Sequence, residues 1–387
     1  MRSPTHTKHS LVQVVRQSVY QMAAGYEDCN DTGNIKKENT MSLIDIISIE
    51  HAKTIKNYLE TTRYKQLQFI PFKEHGNLYK AYSLPFLLEE EKKRIDSLRS
   101  NIPIHYDHTF SISYYEQIAN ISLQDKMLNK ILLHNQAYNV SELYFLDKDL
   151  ADIIVRNSEE TNSGMHIFNF RIIPVDNLLI LADRLDSDSL NSIFFFRDSF
   201  LLSYYILRNC NFEGKHVADI GSGSGVQTLF SSLKKANKVT SIDVNPRSEI
   251  FCKLNMLLNN IDVDHLFHIK SYVDYDFSCN VVVANPPYMF LPDGGRCCEN
   301  GGEHYGLEHV INIYNKCIDL GIELIMIFST PISKGKSYFE QVVKSRKFYK
   351  KIIIELDQLI HGITTHDYLL KAGYNFRELL IVHIAKK

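Results

Sequence analysis

The C-terminal half of the sequence predicts an α/β fold with a parallel, doubly wound sheet, and two observations support that prediction. Short apolar runs alternate with helix-length segments from Gly214 onward, and strands that alternate with helices form parallel sheets with helices on both faces. The first of these strands ends in a glycine-rich turn at 221–225, which is where such folds bind ligands. The preceding residues predict a smaller, mainly helical domain with a β-hairpin.

The length of the chain favours more than one domain. Its 387 residues exceed the usual size of a single domain. We expect a poorly ordered segment at 1–40, a mainly helical substrate-recognition domain at 41–185 and the α/β domain at 186–387.

Apolar periodicity locates the individual elements. Before residue 160 it predicts helices that begin near 41 and after Pro85, then helices at 114–134 and 141–155, the last of them capped by Ser141. The runs 165–173 and 178–182 predict the hairpin, and helices followed by a hairpin also occur in winged-helix domains. In the α/β part, the predicted strands are 215–220, 239–243, 266–269, 281–284, 323–329, 352–356 and 379–384.

Composition and charge weigh against several classes of function. The formal net charge of −2 gives no strong nucleic-acid-binding signature. No apolar run approaches the roughly 20 residues of a membrane span, and the N-terminus lacks the apolar core of a secretion signal. The seven cysteines include no CxxC pair, so neither a disulfide framework nor a metal site is expected. We therefore expect a cytoplasmic protein with reduced thiols and no membrane partner.

The glycine-rich turn and a later aspartate together predict a ligand that contains ribose. Gly221, Gly223 and Gly225 permit a tight turn in which a ligand can touch the backbone beside the next helix. Asp243 ends the next strand, where a carboxylate can accept hydrogen bonds from both ribose hydroxyls. The spacing GxGxG differs from the GxGxxG of dinucleotide-binding folds, so a dinucleotide oxidoreductase is the weaker interpretation.

A rigid corner follows the apolar run 281–284. It reads Asn285-Pro286-Pro287-Tyr288, and its prolines fix φ and remove two backbone donors. The Asn285 side-chain oxygen and the Pro286 carbonyl can therefore accept the hydrogens of a planar NH2 group, while Tyr288 covers the face of that group. The alternative interpretation is a strand followed by an ordinary turn.

Three segments resemble class I S-adenosylmethionine-dependent methyltransferases, namely VADIGSGSGVQTLF, TSIDVNPRS and VVVANPPYMF. The resemblance covers about residues 190–387. It is more specific to the Asn-Pro-Pro-Tyr branch, which includes the N5-glutamine methyltransferases of release factors and the N6-adenine and N2-guanine methyltransferases of DNA and RNA. It implies a Rossmann-like, seven-stranded domain and S-adenosyl-L-methionine as the cofactor.

The resemblance also implies roles for individual residues. Asn285 and Pro286 would bind the target nitrogen, and Tyr288 would stack on its plane, so these three would form the catalytic corner. The residues implied to bind the cofactor are Asp219, Gly221, Gly223, Gly225, Asp243, Val244, Ser271, Tyr272 and Asn285. Those implied to contact the substrate are Pro287, Arg296, Tyr305 and Arg197.

Two of these assignments rest on short motifs. Arg197-Asp198-Ser199 resembles the polar motif that opens the catalytic domain of relatives and lies beside the cofactor, although a simple helix start fits the same residues. Residues 301–307 resemble the Gly-Gly segment that follows the corner in release-factor methyltransferases, and we expect them to cover the substrate. Ser271 and Tyr272 stand where the family often has an acidic residue, so the contact to the adenine amine stays open.

The methyl acceptor also stays open. A protein glutamine side chain is the first choice, because the near-neutral charge and the helical domain fit a protein partner. An rRNA or tRNA base amine is the second, and a small molecule or peptide natural product is the third. A silent cofactor-binding module is the non-enzymatic alternative, which the intact Asn-Pro-Pro-Tyr corner disfavours.

Overall fold

The computed structural model describes residues 47–64, 121–175, 177–184, 187, 191–290, 300–333, 336–343, 350–356 and 376–385. Three of the predicted features lie outside these residues: the segment 1–40, the substrate residue Arg296, and the helix that was expected to begin after Pro85.

The described residues before 185 form helices followed by two short antiparallel hairpins. The elements are α1 (Ile49–Glu60), α2 (Leu123–Leu128, continued by a π-helix over Asn129–Leu133), a 3-10 helix (Val140–Phe145), α3 (Lys148–Arg156), β1 (Ser158–Glu160), β2 (His166–Phe168), β3 (Phe170–Val175) and β4 (Leu178–Asp183). β3 pairs with β4, as the apolar runs predicted, but β2 pairs with β1 and does not continue β3.

The helix predicted over 141–155 is interrupted. The Asn139 side chain caps the 3-10 helix by accepting a hydrogen bond from the Ser141 backbone N–H, so Ser141 is not the cap. The Asp147 side chain then caps α3 by accepting from the Asp149 and Leu150 N–H groups. Asn and Asp side chains compete with the helical backbone for N–H groups, which explains why one apolar period is divided between two short helices.

From His216 onward, helices follow most of the strands, as the alternation from Gly214 predicted, and one helix precedes them. The elements are α4 (Arg197–Asn209), β5 (His216–Ile220), α5 (Val226–Leu233), β6 (Lys238–Asp243), α6 (Pro246–Leu258), β7 (Asp264–Ile269), a 3-10 helix (Tyr272–Asp274), β8 (Val281–Ala284), a short helical turn (Glu303–Gly306), α7 (Glu308–Leu320), β9 (Glu323–Ser333), β10 (Lys336–Ser337), α8 (Tyr338–Val342), β11 (Lys350–Leu356) and β12 (Phe376–Ile384).

These strands build one sheet in the order β11-β12-β9-β8-β5-β6-β7. The four strand pairs β7–β6, β6–β5, β5–β8 and β8–β9 are parallel. By contrast, β12 runs antiparallel to both of its neighbours, β11 and β9. The two-residue β10 pairs with the end of β9 and brings the sheet to eight strands. The predicted α/β fold with a mainly parallel sheet is therefore confirmed.

The sheet separates two apolar clusters, as the two-residue period of a strand requires. Val281 and Val283 pack into the cluster that contains helices α1 to α6, and Val282 and Ala284 pack into the cluster that contains α7. All four residues of β8 are fully buried. Strands covered on both faces are near-continuous apolar runs, and this explains the sequence of β8.

The β3–β4 hairpin docks on α6 through side-chain amides. Asn255 Oδ1 accepts from the Leu181 N–H at 2.6 Å, and Asn255 Nδ2 donates to the Leu181 carbonyl at 2.9 Å. Asn259 makes the same pair of bonds to Leu179, at 2.7 and 2.8 Å. These two side-chain amides, one helical turn apart on α6, thereby satisfy backbone groups on the unpaired edge of β4. The hairpin also packs into the same apolar cluster as α6.

Within the described ranges, no helix combines the length and the apolar character that a membrane span requires.

Candidate active site

The predicted site residues lie where neighbouring parallel strands end. β5 lies between β6 and β8, so the turn after β5, Asp243 at the end of β6 and Asn285 just after β8 meet at one edge of the sheet. A β-carbon placed on Gly221 would lie 3.8 Å from the Asn285 backbone oxygen. The glycine turn and the Asn-Pro-Pro-Tyr corner are therefore in direct proximity, as ligand sites at the carboxyl ends of parallel strands require.

The glycine turn has a backbone conformation that other residues adopt only with strain. Gly221, Gly223 and Gly225 have φ values of 70°, 51° and 74°, in the left-handed region that favours glycine. At Gly225 packing adds to this requirement, because a β-carbon there would lie 2.5 Å from Cys252 Sγ. The turn therefore lets α5 begin directly against α6.

Asp243 connects three segments of the site. Its Oδ2 accepts from the Gly223 N–H at 2.8 Å and its Oδ1 from the Asn245 N–H at 2.9 Å, while its carbonyl accepts from the Lys270 N–H at 2.9 Å. Burial raises the pKa of this carboxyl above its ordinary value, although the backbone N–H groups oppose that effect. The next residue, Val244, leaves 41% of its surface exposed, so an apolar side chain is available beside the carboxylate.

Asp219, at the end of β5, is a buried carboxyl with one oxygen unused. Its Oδ2 accepts from Thr228 Oγ1 at 2.8 Å, but its Oδ1 has no hydrogen-bond partner in the described part of the chain. The residue is fully buried, and this burial raises the pKa of the carboxyl to about 7. Because buried polar atoms are almost always paired, the free oxygen indicates a missing donor at this position.

The side chains of the Asn-Pro-Pro-Tyr corner are held by the first turn of α4. Asn285 Nδ2 donates to Ser199 Oγ at 2.9 Å, and the Tyr288 hydroxyl donates to Asp198 Oδ2 at 2.8 Å. Asn285 Oδ1 is buried and has no partner among the described residues. The corner thus presents a fixed, unused acceptor oxygen beside a tethered aromatic ring.

The segment after the corner packs closely against it through two glycines. A β-carbon on Gly301 would lie 2.7 Å from Tyr288 Cα, and one on Gly306 would lie 2.7 Å from the Tyr288 carbonyl oxygen. Between these glycines, His304 and Tyr305 have left-handed backbones with φ of 55° and 57°. Left-handed conformations strain residues with a β-carbon, and such strain concentrates at functional sites.

Tyr305 belongs to a small aromatic group beside the corner. Its ring centroid lies 5.9 Å from that of Phe290 and 5.0 Å from that of Tyr338, the latter edge to face. The segment predicted to cover the substrate therefore contacts both the residues that follow the corner and the start of α8. This arrangement makes Tyr305 a candidate wall of the acceptor pocket.

The other predicted residues are less clearly placed. Ser271 Oγ accepts from the Val273 N–H and so caps a 3-10 helix, and the Tyr272 hydroxyl lies 3.2 Å from His309 Nδ1 of α7. Both hydroxyls therefore already have protein partners, and a cofactor contact by either residue stays a prediction. Arg197 is the first residue of α4, and Pro287 is half-buried in the corner.

Sequence reasoning did not find the contacts that Asp198 and Ser199 make with the corner. The motif Arg197-Asp198-Ser199 indicated a position near the cofactor, but only its first residue, Arg197, was assigned to the substrate site. The Thr228 hydroxyl, which donates to Asp219 Oδ2, could not be predicted to belong to the site, because Thr228 lies inside an ordinary apolar helix.

Among the described residues, no cluster of three or more His, Cys, Asp and Glu side chains can hold a metal ion.

Comparison with known proteins finds similarity to methyltransferases over the residues that form the candidate site. Residues 199–291 match the family described as "Methyltransferase small domain". A protein named as a protein N5-glutamine methyltransferase of Methanocaldococcus jannaschii is 30% identical over 88 residues, which are 22% of this chain and 44% of that protein. A tRNA1(Val) (adenine(37)-N6)-methyltransferase of a Shewanella species is 26% identical over 86 residues, or 20% of this chain and 35% of the relative. The chain thus spans less than half the length of these curated relatives.

Among solved structures, a SAM-dependent methyltransferase from Streptococcus mutans is similar with a TM-score of 0.38 and 13% identity, over 63% of this chain and 67% of that one. The matched family covers the glycine turn, Asp243 and the Asn-Pro-Pro-Tyr corner, which are the parts that the structure brings together. Over residues 199–291 the chain is accordingly similar to a methyltransferase small domain.

Proposed function

We propose that the protein is an N-methyltransferase that acts on a planar nitrogen, with a protein glutamine side chain as the first choice of acceptor. One observation supports this proposal above all. Asn285 Oδ1 is buried and unpartnered within the described residues, while Ser199 occupies the amide nitrogen at 2.9 Å. A buried acceptor oxygen without a donor fits a substrate N–H.

The residues at the edge of the sheet fit the cofactor. Asp219 Oδ1 lacks a donor, and the amino group of S-adenosylmethionine is a donor of suitable charge. The backbone of the glycine turn is open to close approach, the Asp243 carboxylate can accept from the ribose hydroxyls, and the exposed Val244 can cover the adenine ring. When bound, S-adenosylmethionine supplies an electrophilic methyl group on a positively charged sulfur.

The residues of the chain then prepare the acceptor. An amide or aromatic amine nitrogen is a weak nucleophile, because its lone pair is delocalised. Asn285 Oδ1 and the Pro286 carbonyl would accept its two hydrogens and direct the lone pair at the methyl carbon, which is catalysis by alignment. As the N–C bond forms and the C–S bond breaks, these neutral acceptors stabilise the positive charge that grows on nitrogen. The nitrogen loses its proton to water afterwards, so no general base is assigned.

Glutamine remains the first choice for two reasons. The M. jannaschii relative is named for this acceptor, and the chain carries a net charge of −2, which does not attract a polyanion. The Shewanella relative, named for a tRNA adenine, keeps a base amine as the second candidate. We also propose that residues 41–185 recognise the acceptor, because their hairpin is fixed to α6 beside the cofactor turn.

The test is methyl transfer from radiolabelled S-adenosylmethionine into a cell extract that is then separated into protein, RNA and small-molecule fractions. Label in the protein fraction, retained on a glutamine after digestion, is the expected result. Label in RNA alone would replace glutamine with a base amine. An absence of label in every fraction, despite calorimetric binding of the cofactor, would favour a silent cofactor-binding module.

A further inference from the structure

The first turn of α4 contacts both functional side chains of the Asn-Pro-Pro-Tyr corner. Asp198 and Ser199 are adjacent in the sequence, and each accepts one hydrogen bond, from Tyr288 and from Asn285 respectively. We propose that Asp198 and Ser199 are positioning residues for methyl transfer, with Ser199 orienting the Asn285 amide and Asp198 orienting and polarising the Tyr288 ring. This inference rests on the proposed function.

Ser199 determines which end of the Asn285 side-chain amide faces the acceptor. An Asn side chain has one end that donates and one that accepts, and only the accepting end can bind an acceptor NH2. With Nδ2 held at 2.9 Å by Ser199 Oγ, Oδ1 points to the free position. Without the hydroxyl, Nδ2 loses this partner and the amide can rotate so that two donors face each other, which opposes substrate binding in the productive geometry.

Ser199 is itself held firmly. Its carbonyl accepts from Gln227 Nε2 at 2.9 Å and from Ser203 Oγ at 2.7 Å, and its N–H donates to Asp198 Oδ1 at 2.9 Å. Gln227 and Ser203 are buried side chains of α5 and α4. The orientation of Asn285 is therefore determined by packed helices, as a precise active site requires.

Asp198 acts on charge as well as on geometry. A hydroxyl that donates to a carboxylate forms a charge-assisted bond, which is stronger than a neutral one. The bond at 2.8 Å fixes the Tyr288 ring and increases the electron density of its phenol. Because the acceptor nitrogen becomes positive during transfer, an electron-rich ring stacked on it stabilises that charge in the way a cation over an aromatic face is stabilised.

The expected effects follow from the strengths of the two bonds. Loss of a neutral hydrogen bond in Ser199→Ala should lower the turnover rate roughly 3- to 10-fold. Loss of a charge-assisted bond in Asp198→Ala should lower it on the order of 10- to 100-fold. Ser199→Thr keeps the hydroxyl and should restore most of the rate, and Asp198→Asn keeps an acceptor without the charge and should be intermediate.

The experiment measures the initial rate of label transfer from radiolabelled S-adenosylmethionine into the extract fraction that wild type labels, together with the calorimetric Kd of S-adenosylmethionine. Ser278→Ala is the matched control, because it removes another serine hydroxyl that hydrogen-bonds a side chain, Asp276 Oδ1 at 2.8 Å, at the opposite edge of the sheet. We expect slow transfer and an unchanged cofactor Kd in Ser199→Ala and Asp198→Ala. In a double-mutant cycle, Asp198→Ala should add nothing to Tyr288→Phe.

Two outcomes would overturn the inference while leaving the proposed function intact. One is a full rate of transfer in both alanine variants, and the other is a proportional loss of cofactor binding and rate, which would indicate damage to the fold alone. If wild type labels no fraction, the proposed function fails first. Crystal structures of the variants then decide the positioning role, since an Asn285 amide and a Tyr288 ring that stay in place without their partners would contradict it.

Discussion

Replacement of Gly225 by alanine isolates the packing of the cofactor turn against α6. The added β-carbon would lie 2.5 Å from Cys252 Sγ, 2.8 Å from its Cβ and 2.9 Å from its Cα. Two of these contacts involve the start of the side chain or the backbone, so a simple rotation of Cys252 cannot relieve them. The start of α5 would therefore have to move away from α6 where the glycine turn at 221–225 ends.

The cost of this change has two parts. A left-handed backbone, with φ of 74° at Gly225, costs an alanine about 1–2 kcal/mol. Insertion of extra volume into a packed core costs a further ~1–3 kcal/mol. We therefore expect Gly225→Ala to lower the free energy of unfolding by about 2–5 kcal/mol, and to weaken cofactor binding because the turn moves.

Gly214→Ala is the matched control. Its φ is 78°, and no atom lies within 4 Å of an added β-carbon, so only the backbone cost of about 1–2 kcal/mol should remain. The measurement is the denaturant midpoint and slope of both variants, followed by circular dichroism. An equal loss of stability in the two variants would refute the packing of Gly225 against Cys252.

Three further predictions concern Asp243 and Asp219, which we propose as cofactor residues, and the hairpin amide of Asn255. Asp243→Ala should weaken S-adenosylmethionine binding in calorimetry whatever the acceptor is, because its carboxylate oxygens accept from the Gly223 and Asn245 N–H groups and are proposed to accept from the ribose hydroxyls; an unchanged Kd would remove Asp243 from the site. Since the pKa of Asp219 is about 7 in the fold against an ordinary 3.8, wild type should lose stability relative to Asp219→Asn as the pH rises from about 4 to 7, while its cofactor affinity increases through pH 7; identical pH profiles in the two proteins would contradict this. Asn255→Ala removes bonds to Leu181 and to the Ser224 carbonyl and should cost about 2–4 kcal/mol of unfolding free energy, so an unchanged denaturant midpoint would show that this amide does not fix the hairpin.

The sign of the Asp219 effect follows from its burial. The unfolded chain ionises this carboxyl near its ordinary pKa, whereas the folded chain keeps the proton until about pH 7. Between these values the folded state binds more protons, so the free energy of unfolding decreases as the pH increases. The carboxylate that then forms is the state that accepts a hydrogen bond from a cationic amino group.

The parts of the fold that follow local rules could be predicted from the sequence. The alternation of β5, α5, β6 and α6 depends on apolar period and on the glycine turn, and each signal lies within a few residues of the element it determines. The division of 141–155 into two short helices was not predicted, because the apolar period continues through it. The caps at Asn139 and Asp147 determine where each helix begins. The left-handed conformation of Tyr305, with φ of 57°, has no local signal, since bulky residues rarely adopt it.

The site could be predicted only where one strand end carried the chemistry. Asp243 ends one strand and Asn285 directly follows another, so their position at the edge of the sheet follows from the fold class. The bonds from Ser199 and Asp198 cross 86 and 90 residues of sequence, and they depend on how α4 packs across the sheet. Such long-range contacts have no periodicity that a single sequence can display.

The most direct test of the proposed catalytic corner compares turnover with cofactor binding in Asn285→Ala. Label from radiolabelled S-adenosylmethionine is counted in the extract fraction that wild type methylates, and the Kd for S-adenosylmethionine is measured by calorimetry on the same preparation. We expect label transfer to disappear while the Kd stays within about twofold of wild type, because the unpartnered Oδ1 acts on the acceptor. Transfer at the wild-type rate in Asn285→Ala would contradict the assignment of the Asn-Pro-Pro-Tyr corner as the methyl-transfer site.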